Sequence, residues 1–239
     1  AGNCGFKCAP TWRTSVGEIP DDIEYPIITK AINPISGEWK DIVYVCNDEN
    51  DLSYAFSKMK SSQVLLQKYI DKSDEVSFQG ISVRNGKDVV IVTTMRQEYN
   101  LSGTYSPLWI VENSNNEVVE NKIKKMIREM SYEGIFEFEF IKDKDGNLWF
   151  LEINMRHAAD GYATTVAGMS QVILWCESIE TGRISPEYYK DIPSGFRAIA
   201  ECWDYDVRVK GGLLSKHDWL RQYKQIECKL YRGRNDFVP

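Results

Sequence analysis

The segment Gly134–Arg156 reads GIFEFEFIKDKDGNLWFLEINMR and has the pattern of a β-hairpin. Its Asp145-Gly146 pair predicts a two-residue turn, because this turn type requires positive φ at both central positions. With these two residues at the tip, polar side chains face each other across the strands, Glu139 with Glu152 and Glu137 with Asn154. A three-residue turn with a bulge would shift this pairing by one position and leave the acidic residues close neighbours.

The two faces of the hairpin differ in character, because successive side chains of a strand point to opposite sides. One face carries the polar residues Glu137, Glu139, Glu152 and Asn154. The other face is apolar and is expected to pack into the core. Its members are Phe136, Phe138, Phe140, Leu151 and Ile153.

Two glutamates that face each other repel by on the order of 3 kcal/mol at an effective dielectric constant of about 20. A hard cation between Glu139 and Glu152, with Asn154 two residues on, makes the arrangement favourable. Oxygen ligands without His or Cys favour Mg²⁺ or Mn²⁺ over zinc. Because Mg²⁺ held by few carboxylates usually completes its shell with water and phosphate oxygens, the hairpin predicts a nucleotide as its partner.

The same segment permits other interpretations. One is a solvated acidic face above an aromatic core, which the spacing alone allows. Another is a calcium-binding loop, because several residues from Asp143 to Glu152 stand in its register. The calcium loop is excluded because Ile141 occupies the first ligand position and Leu148–Leu151 belongs to a strand.

Composition limits the function further. The chain has 239 residues, of which 43% are hydrophobic and 27% are charged, so it is long enough to bury a core and is neither disordered nor fibrous. Its formal net charge of −6 argues against non-specific binding to nucleic acids or to anionic membranes. We therefore expect neither a nucleic acid nor a membrane as a partner.

The cysteines and the N-terminal sequence bear on the cellular compartment. Six cysteines spread along the chain do not predict a disulfide framework, which is typical of smaller and more cysteine-dense secreted domains. Two histidines are too few for a His-rich metal site. No secretion signal opens the sequence, and no apolar stretch is long enough to span a bilayer. We expect reduced thiols and a cytoplasmic protein.

The rest of the chain alternates strands and helices. Strands are predicted at Tyr25–Lys30, Asp41–Cys46, Val64–Ile70, Val76–Val83 and Asp88–Met95, the last two joined through Asn85-Gly86. Helices are predicted over Asn50–Lys60, over Val119–Met130, and over Thr164–Thr181, where Gly182 ends the helix. The tail Phe196–Pro239 has no clear pattern. The order of elements predicts an α+β fold built around antiparallel sheets.

The hairpin resembles the metal-binding strand pair of ATP-grasp ligases, whose second strand usually ends Glu-x-Asn-Pro-Arg. Here the motif reads Glu152-Ile153-Asn154-Met155-Arg156, with Met155 in place of the common proline. The resemblance implies that Glu139, Glu152 and Asn154 ligate Mg²⁺. It also implies that Arg156 faces the acyl phosphate or the substrate carboxylate.

Further segments are similar to the same family. Pro26–Lys30 resembles the strand whose terminal lysine meets the ATP phosphates, which implies that role for Lys30, and Asn33–Lys40 follows it as the phosphate lid. Val64–Ile70 resembles the hinge between the lobes, and the adenine would lie along Gln67, Lys68, Tyr69 and Ile70. Glu75 is then placed to accept the ribose hydroxyls, and Arg96 to reach phosphate or substrate. Taken alone, each of these segments also fits a plain buried strand or a solvated strand end.

The resemblance extends in order from Gly5–Thr11 to Arg156 and is nearest to D-aspartate ligases. The features that favour this subfamily are Tyr25–Lys30, Trp39-Lys40, Asn154-Met155-Arg156 with Asp160-Gly161, and Asn235–Pro239. ATP-grasp enzymes normally carry a preceding α/β domain, whereas here the similarity begins at residue 5. We therefore expect a fragment of a longer enzyme, a second chain that supplies the missing domain, or a reduced protein.

The resemblance implies two α+β subdomains whose antiparallel sheets sandwich the nucleotide. Residues 1–68 would form the smaller lobe, and residues 69–239 the larger lobe with the hairpin and a C-terminal extension. The implied activity is the ATP- and Mg²⁺-dependent joining of a small-molecule carboxylate to an amine, which is an amino acid or a peptide, through an acyl phosphate. Asp160 or His157 is the implied proton acceptor. The alternatives are a nucleotide-binding module without turnover and an interaction domain with an acidic patch. Residues that select the substrate are expected in Gly103–Val111 and Asp160–Thr165.

Overall fold

The computed structural model describes residues 1–32, 43–101, 106–185 and 190–231. The chain divides into two compact units. The smaller unit is Lys7–Asp71, and the larger unit combines Ala1–Phe6 with Lys72–Pro239. The first six residues therefore belong with the larger unit, because Phe6 packs against Phe138 and Phe140 of that unit. The roles given to residues 1–68 and 69–239 as nucleotide-binding lobes stay predictions.

The smaller unit contains a four-stranded antiparallel sheet in the order β2-β5-β3-β4. One helix packs on this sheet through Leu52, Ala55 and Phe56, which recur at helical spacing. The Asp48 carboxylate caps the helix by accepting a hydrogen bond from the Asp51 amide at 2.9 Å. The elements are β1 (Lys7–Cys8), β2 (Thr11–Ser15), β3 (Ile27–Lys30), β4 (Val45–Cys46), α1 (Glu49–Lys58) and β5 (Gln63–Lys68).

The predicted strands Tyr25–Lys30 and Val64–Ile70 are confirmed as β3 and β5. The predicted strand Asp41–Cys46 is shorter in the described part of the chain, where only Val45–Cys46 pairs with β3. Its first two positions and the predicted phosphate lid Asn33–Lys40 lie outside the described residues.

The strands of the larger unit lie in one sheet, in the order β10-β9-β6-β7-β8-β11-β12. Every neighbouring pair is antiparallel except β11 with β12, which is parallel. The strands are β6 (Lys72–Val83), β7 (Asp88–Gln97), β8 (Leu108–Glu112), β9 (Gly134–Asp143), β10 (Leu148–Asn154), β11 (Arg197–Ile199) and β12 (Cys228–Lys229). The helices are α2 (Glu117–Glu129), α3 (Tyr162–Val166), α4 (Gln171–Thr181), α5 (Glu201–Tyr205) and α6 (Lys216–Tyr223). The α+β fold class is confirmed.

The two faces of this larger sheet have separate cores. Helix α2 covers one face, where Val119, Ile123 and Ile127 pack on a cluster of phenylalanines from β6 and β9. Helices α3 and α4 cover part of the other face, where Ala163 and Leu174 pack on apolar residues of β7, β8 and β11. The rest of this second face is not covered by these helices and holds a cavity.

The prediction of one continuous helix over Thr164–Thr181 is wrong. The chain breaks between α3 and α4 because Gly168 adopts φ +99, a left-handed conformation that a helix does not contain. Ser170 then starts α4 afresh, with its side chain accepting a hydrogen bond from the Ile173 amide at 3.4 Å. Within the described ranges, no helix has the length and apolar character needed to cross a bilayer.

Candidate active site

The connection at the tip of the β9–β10 hairpin is longer than the sequence predicts, so the prediction of a two-residue turn is wrong. Residues 144–147 form the connection, and the Asp143 carboxylate organises it. This carboxylate accepts hydrogen bonds from the Trp149 indole at 2.8 Å, from the Asn147 amide at 2.8 Å and from the Asp145 amide at 3.0 Å. These hydrogen bonds lower the pKa of Asp143 to about 2. A side chain that captures loop amides in this way outweighs the preference of Asp145-Gly146 for a tight turn.

A β-bulge in β10 shifts its register with β9 between the hairpin tip and the acidic residues. Near the tip Phe150 lies opposite Phe140, one position away from the predicted pairing. The bulge falls between Phe150 and Glu152, and beyond it Glu152 lies opposite Glu139. The next polar pair, Glu137 with Asn154, is also as predicted. The pairing of the polar residues is therefore confirmed, although the turn that was expected to produce it is absent.

The bulge also changes which residue belongs to the apolar face. Phe150 packs with Phe6 and Phe138 in the aromatic cluster, as Ile153 does. Leu151, which the alternation assigned to this cluster, lines the cavity on the opposite face instead. That assignment is wrong because one extra residue in a strand inverts the alternation at the bulge.

A cavity of about 320 Å³ lies on this face of the larger sheet. It is lined by the polar residues of β9 and β10 and also by Trp109, Trp203 and Tyr231. The cross-strand register explains the arrangement, because Glu139 neighbours Ser77 on β6, which in turn neighbours Met95 on β7. The lining residues therefore come from the neighbouring strands β9, β6 and β7.

The Asn154 amide stands at the centre of three carboxylates. Its Nδ2 donates to Glu139 Oε1 at 2.7 Å, to Glu137 Oε2 at 3.2 Å and to Glu152 Oε1 at 3.4 Å. Burial raises the pKa of Glu139 above its ordinary value, and the nearby charges of Glu137 and Glu152 raise it further. The site thus concentrates negative charge that a cation would relieve.

Gln79 and Asp160 complete this polar end. Gln79 Nε2 donates to Asp160 Oδ1 at 2.7 Å and to Glu137 Oε1 at 3.3 Å, so one buried amide holds two acidic side chains. Burial, followed by the charge of Glu137, raises the pKa of Asp160. The sequence analysis did not select Glu137 as a ligand, although its place in the alternation was visible. Gln79 had no sequence signal, because a glutamine inside a strand is usually a solvated residue.

The donor set suits a hard cation such as Mg²⁺, since it offers carboxylate oxygens and one side-chain amide. Within the described residues, no three His, Cys, Asp or Glu side chains form a group arranged to hold a metal ion. Asn154 presents its nitrogen to the acids, while its Oδ1 accepts a hydrogen bond from Arg156 Nη2 at 3.2 Å. A half-turn of this amide, which is a soft torsion, presents oxygen to the same place.

The predicted residues Arg156, His157 and Arg96 do not all lie at the cavity. Arg156 lines the cavity, and its Nη1 donates to the His157 carbonyl at 3.2 Å. The His157 ring packs so closely on Gly161 that a Cβ there would lie 2.6 Å from it. Among the described residues that line the cavity, Asp160 is present whereas His157 and Arg96 are not. Arg96 instead contacts Glu112 at 3.4 Å. The structure thus brings Arg156 and Asp160, but not Arg96, to the acidic residues.

Glu75 lines the same cavity, in the neighbouring row of the sheet. Its carboxylate accepts from Lys72 Nζ at 2.7 Å and from Gln97 Nε2 at 2.8 Å. Both contacts hold the side chain in place. Its expected role at the ribose hydroxyls stays a prediction.

The remaining predicted residues belong to the smaller unit. Lys30 ends β3, and Gln67 Nε2 donates to Thr11 Oγ1 at 2.8 Å. Lys68 Nζ donates to the carbonyls of Glu24 and Tyr25 at 3.2 Å. Tyr69 and Ile70 follow β5, and the Tyr69 backbone amide donates a hydrogen bond to the Pro26 carbonyl at 3.0 Å. The nucleotide contacts expected of these residues stay predictions.

A family model described as the ATP-grasp domain matches residues 5–172. The chain belongs to the ATP-grasp family. The match includes the hairpin and ends shortly after α4 begins, so the resemblance that the motif Glu152–Arg156 indicated is confirmed. The C-terminal part of this ATP-grasp chain, including Trp203 and Tyr231, lies beyond the matched residues.

Individual relatives agree with the ATP-grasp fold. A curated relative, the 2-oxoglutarate carboxylase small subunit of Hydrogenobacter thermophilus, is 25% identical over 176 residues, which are 69% of this chain and 36% of the relative. The N5-carboxyaminoimidazole synthetase of Staphylococcus aureus has a TM-score of 0.65 at 20% identity, covering 90% of this chain and 57% of that one. The L-amino acid ligase of Bacillus licheniformis has a TM-score of 0.57 at 15% identity, covering 74% and 44%. This ATP-grasp chain therefore spans about a third of the curated relative's length and about half of the structural relatives' lengths.

Proposed function

We propose that this ATP-grasp chain carries the catalytic hairpin of an ATP- and Mg²⁺-dependent ligase that joins a carboxylate to an amine. The observation that supports the proposal most directly is the group of Glu137, Glu139 and Glu152 around Asn154, with Arg156 beside it. Among the structural relatives, the biotin carboxylase domain of the Hydrogenobacter thermophilus 2-oxoglutarate carboxylase was crystallised with MgADP and bicarbonate, at 21% identity and a TM-score of 0.61.

In this proposal Glu139, Glu152 and Asn154 hold Mg²⁺, with Mn²⁺ as a substitute. When bound, the cation neutralises charge on the ATP phosphates. Arg156 orients the substrate carboxylate through the planar fork of its guanidinium, whose plane is set by its hydrogen bonds to Asn154 and His157. In the smaller unit, Lys30 binds the ATP phosphates, and the adenine lies along Gln67–Ile70.

The chemistry proceeds in two steps. A carboxylate oxygen of the acid attacks the γ-phosphorus of ATP, the bond to ADP breaks, and an acyl phosphate forms. The amine nitrogen then attacks the acyl carbon, and inorganic phosphate leaves as the amide forms. Asp160 accepts the proton that the nitrogen loses, because its raised pKa makes it a stronger base than an ordinary carboxylate. Most of the protein's contribution is positioning and charge neutralisation.

The change Glu152→Gln tests the proposal. It removes a charge from the metal site at an exposed position that packing does not depend on. We expect the loss of Mg²⁺-dependent ADP release from ATP with a panel of acids and amines, and an unchanged circular dichroism spectrum. Glu117→Gln, at the start of α2 on the opposite face of the sheet, is the matched control and should keep full activity. Unchanged turnover in Glu152→Gln would remove the hairpin from the mechanism.

A second candidate function is a nucleotide-binding module without turnover of its own. Thermal stabilisation by MgATP without phosphate release from any acid would support this function over the ligase.

Within the ligase class we propose D-aspartate as the acid, because Tyr25–Lys30 and Asp160-Gly161 resemble D-aspartate ligases. The other two segments that carried this resemblance, Trp39-Lys40 and Asn235–Pro239, lie outside the described residues. ADP release that depends on D-aspartate and not on L-aspartate tests this choice.

A further inference from the structure

The Glu75 carboxylate at the cavity is held by two donors, one on each of its oxygens. Oε1 accepts a hydrogen bond from Lys72 Nζ at 2.7 Å, and Oε2 accepts one from Gln97 Nε2 at 2.8 Å. The donors come from different strands, because Lys72 begins β6 and Gln97 ends β7. Since both oxygens are engaged, the carboxylate is fixed in one orientation.

The backbone next to this carboxylate joins the same two strands. Asp74 Oδ1 accepts hydrogen bonds from the Glu75 amide at 2.8 Å and from the Gln97 amide at 3.3 Å. Val76 pairs with Arg96, so the antiparallel register places position 75 opposite position 97. Glu75 and Gln97 both line the cavity. The end of β7 therefore presents the Gln97 side chain to Glu75 at the cavity wall.

The Gln97 side chain uses only one half of its amide. It is 5% exposed, and among the described residues its Oε1 has no hydrogen-bond partner. A buried carbonyl oxygen without a donor is unfavourable for folding. Turning the amide over would bring this oxygen against the Glu75 carboxylate, so the nitrogen has to face Glu75. The contribution of this side chain is therefore a donor for Glu75.

The two contacts leave Glu75 able to bind a ligand. A carboxylate offers about four lone-pair sites, so two donors leave about two sites for further hydrogen bonds. The Glu75 side chain is 24% exposed, whereas that of Lys72 is 12% exposed. Acceptor sites on two neighbouring oxygens match two adjacent hydroxyl groups of a ligand. Because the carboxylate is already held, binding does not have to pay for its orientation.

We infer that Gln97 and Lys72 are positioning residues that hold Glu75 in the orientation that accepts hydrogen bonds from the two ribose hydroxyls of ATP. The inference rests on the proposed function for the presence of ATP in this cavity. Gln97 acts through Glu75, since its own oxygen is buried and its nitrogen is already engaged. Removal of either donor releases the carboxylate and weakens the selection of ribose over deoxyribose.

The experiment compares ATP with 2′-deoxyATP, which lacks one of the two hydroxyls. Binding of each nucleotide to the full chain, in the presence of Mg²⁺, is measured by titration calorimetry. We expect ATP to bind about tenfold more tightly, because it makes one more hydrogen bond to a carboxylate. A general loss of structure would weaken both nucleotides alike, so the ratio of the two affinities reports on the orientation of Glu75. Equal affinities for the parent chain would overturn the inference.

Variants of the two donors assign the preference to them. Gln97→Met keeps the length of the side chain without its donor, and Lys72→Met does the same at the other oxygen. Each should reduce the preference for ATP to less than about threefold, whereas Lys72→Arg, which still donates, should keep most of it. Lys72→Met keeps the test valid if Gln97→Met does not fold. A preference that survives both methionine changes would overturn the inference.

Gln171→Met is the matched control. Gln171 is 1% exposed, its Nε2 donates to the Gly80 carbonyl at 3.2 Å, and its Oε1 has no partner within the described ranges. It resembles Gln97 in burial and hydrogen bonding but is not among the described residues that line the cavity. The variant should keep the preference of the parent. A loss as large as that in Gln97→Met would overturn the inference.

A double-variant cycle separates positioning from direct contact with the nucleotide. In a chain that already carries Glu75→Ala, Gln97→Met should cause no further change in the preference, because the carboxylate that it holds is gone. A further loss would show that Gln97 binds the nucleotide itself and would overturn its assignment as a positioning residue.

Two outcomes separate this inference from the proposed function. A preference for ATP that depends on Gln97, in a chain that releases no ADP with any acid, would reject the proposed ligase and support the role of Gln97. Release of ADP by a chain that binds ATP and 2′-deoxyATP equally well would support the ligase and overturn the inference.

Discussion

Gln79 shows how a single buried side chain arranges the reactive groups. It is 0% exposed on β6, and its amide nitrogen contacts both Asp160 and Glu137. The hydrogen bond from Gln79 favours the charged form of Asp160, whereas burial opposes that form. The residue therefore tunes a group that we propose as the proton acceptor, without facing the reaction itself.

The change Gln79→Leu tests this role. It leaves Asp160 and Glu137 without their common donor in a buried place, so we expect a loss of about 1–3 kcal/mol in the free energy of unfolding. Urea denaturation at neutral pH measures it. Gln225→Leu, at an exposed position just after α6, is the matched control and should change the stability by less than about 0.5 kcal/mol. Equal losses in the two variants would show that the Gln79 contacts carry no stability.

At the scale of elements, the β6 strand passes very close to its neighbours at Gly80. The register with β7 shifts between Gln79 and Gly80. A Cβ at position 80 would lie 2.4 Å from the Val90 carbonyl oxygen and 2.6 Å from the Phe136 ring. Glycine is required there because the backbone of β7 occupies the space that a side chain would need.

The change Gly80→Ala is therefore expected to destabilise the larger unit by about 3 kcal/mol or more, since a backbone oxygen cannot rotate away as a side chain does. Thermal unfolding followed by circular dichroism measures the effect. Gly2→Ala has no atom within 4 Å of its Cβ and should leave the midpoint nearly unchanged. A Gly80→Ala variant as stable as the parent would show that the strands are further apart than described.

At the scale of the whole molecule, the acidic residues couple folding to pH. The pKa of Glu139 and of Asp160 is raised in the folded chain, so the folded state holds protons that the unfolded chain releases. The contribution of these two groups to the free energy of unfolding is therefore fully present below the ordinary carboxyl pKa of about 4. It is lost as the pH rises through their raised pKa values.

Mg²⁺ should reverse this loss, because it replaces the protons between the carboxylates. We expect the rise in melting temperature that Mg²⁺ causes to be larger at about pH 9 than at about pH 6, where the proton competes with the cation. Differential scanning fluorimetry of the parent and of Glu152→Gln measures it. The variant should lose most of the Mg²⁺ effect. A parent whose response to Mg²⁺ is the same at both pH values would contradict the proposed metal site.

Much of the fold and part of the site could be predicted from the order of residues that lie close together in the sequence. The alternation along Ile135–Lys142 and Asn147–Ile153 predicted the hairpin and the facing of Glu139 with Glu152, and both are confirmed. The prediction succeeded for a reason other than the one given, because a bulge after Phe150 cancels the shift that the longer turn introduces. Side-chain capture by Asp143 and the left-handed Gly168 were the local features that overrode the predicted turn and the predicted helix.

The sequence by itself determined the hairpin, the motif Glu152–Arg156 and hence the family, because alternation and motif spacing involve residues near one another in the chain. Only the tertiary structure decided that Gln79 joins Asp160 to Glu137, and that Trp203 and Tyr231 complete a cavity begun by β9 and β10. The two Gln79 contacts join residues that are 58 and 81 positions apart in the chain. They depend on the order of strands in the sheet, and no periodicity along a strand specifies which strand will lie beside it.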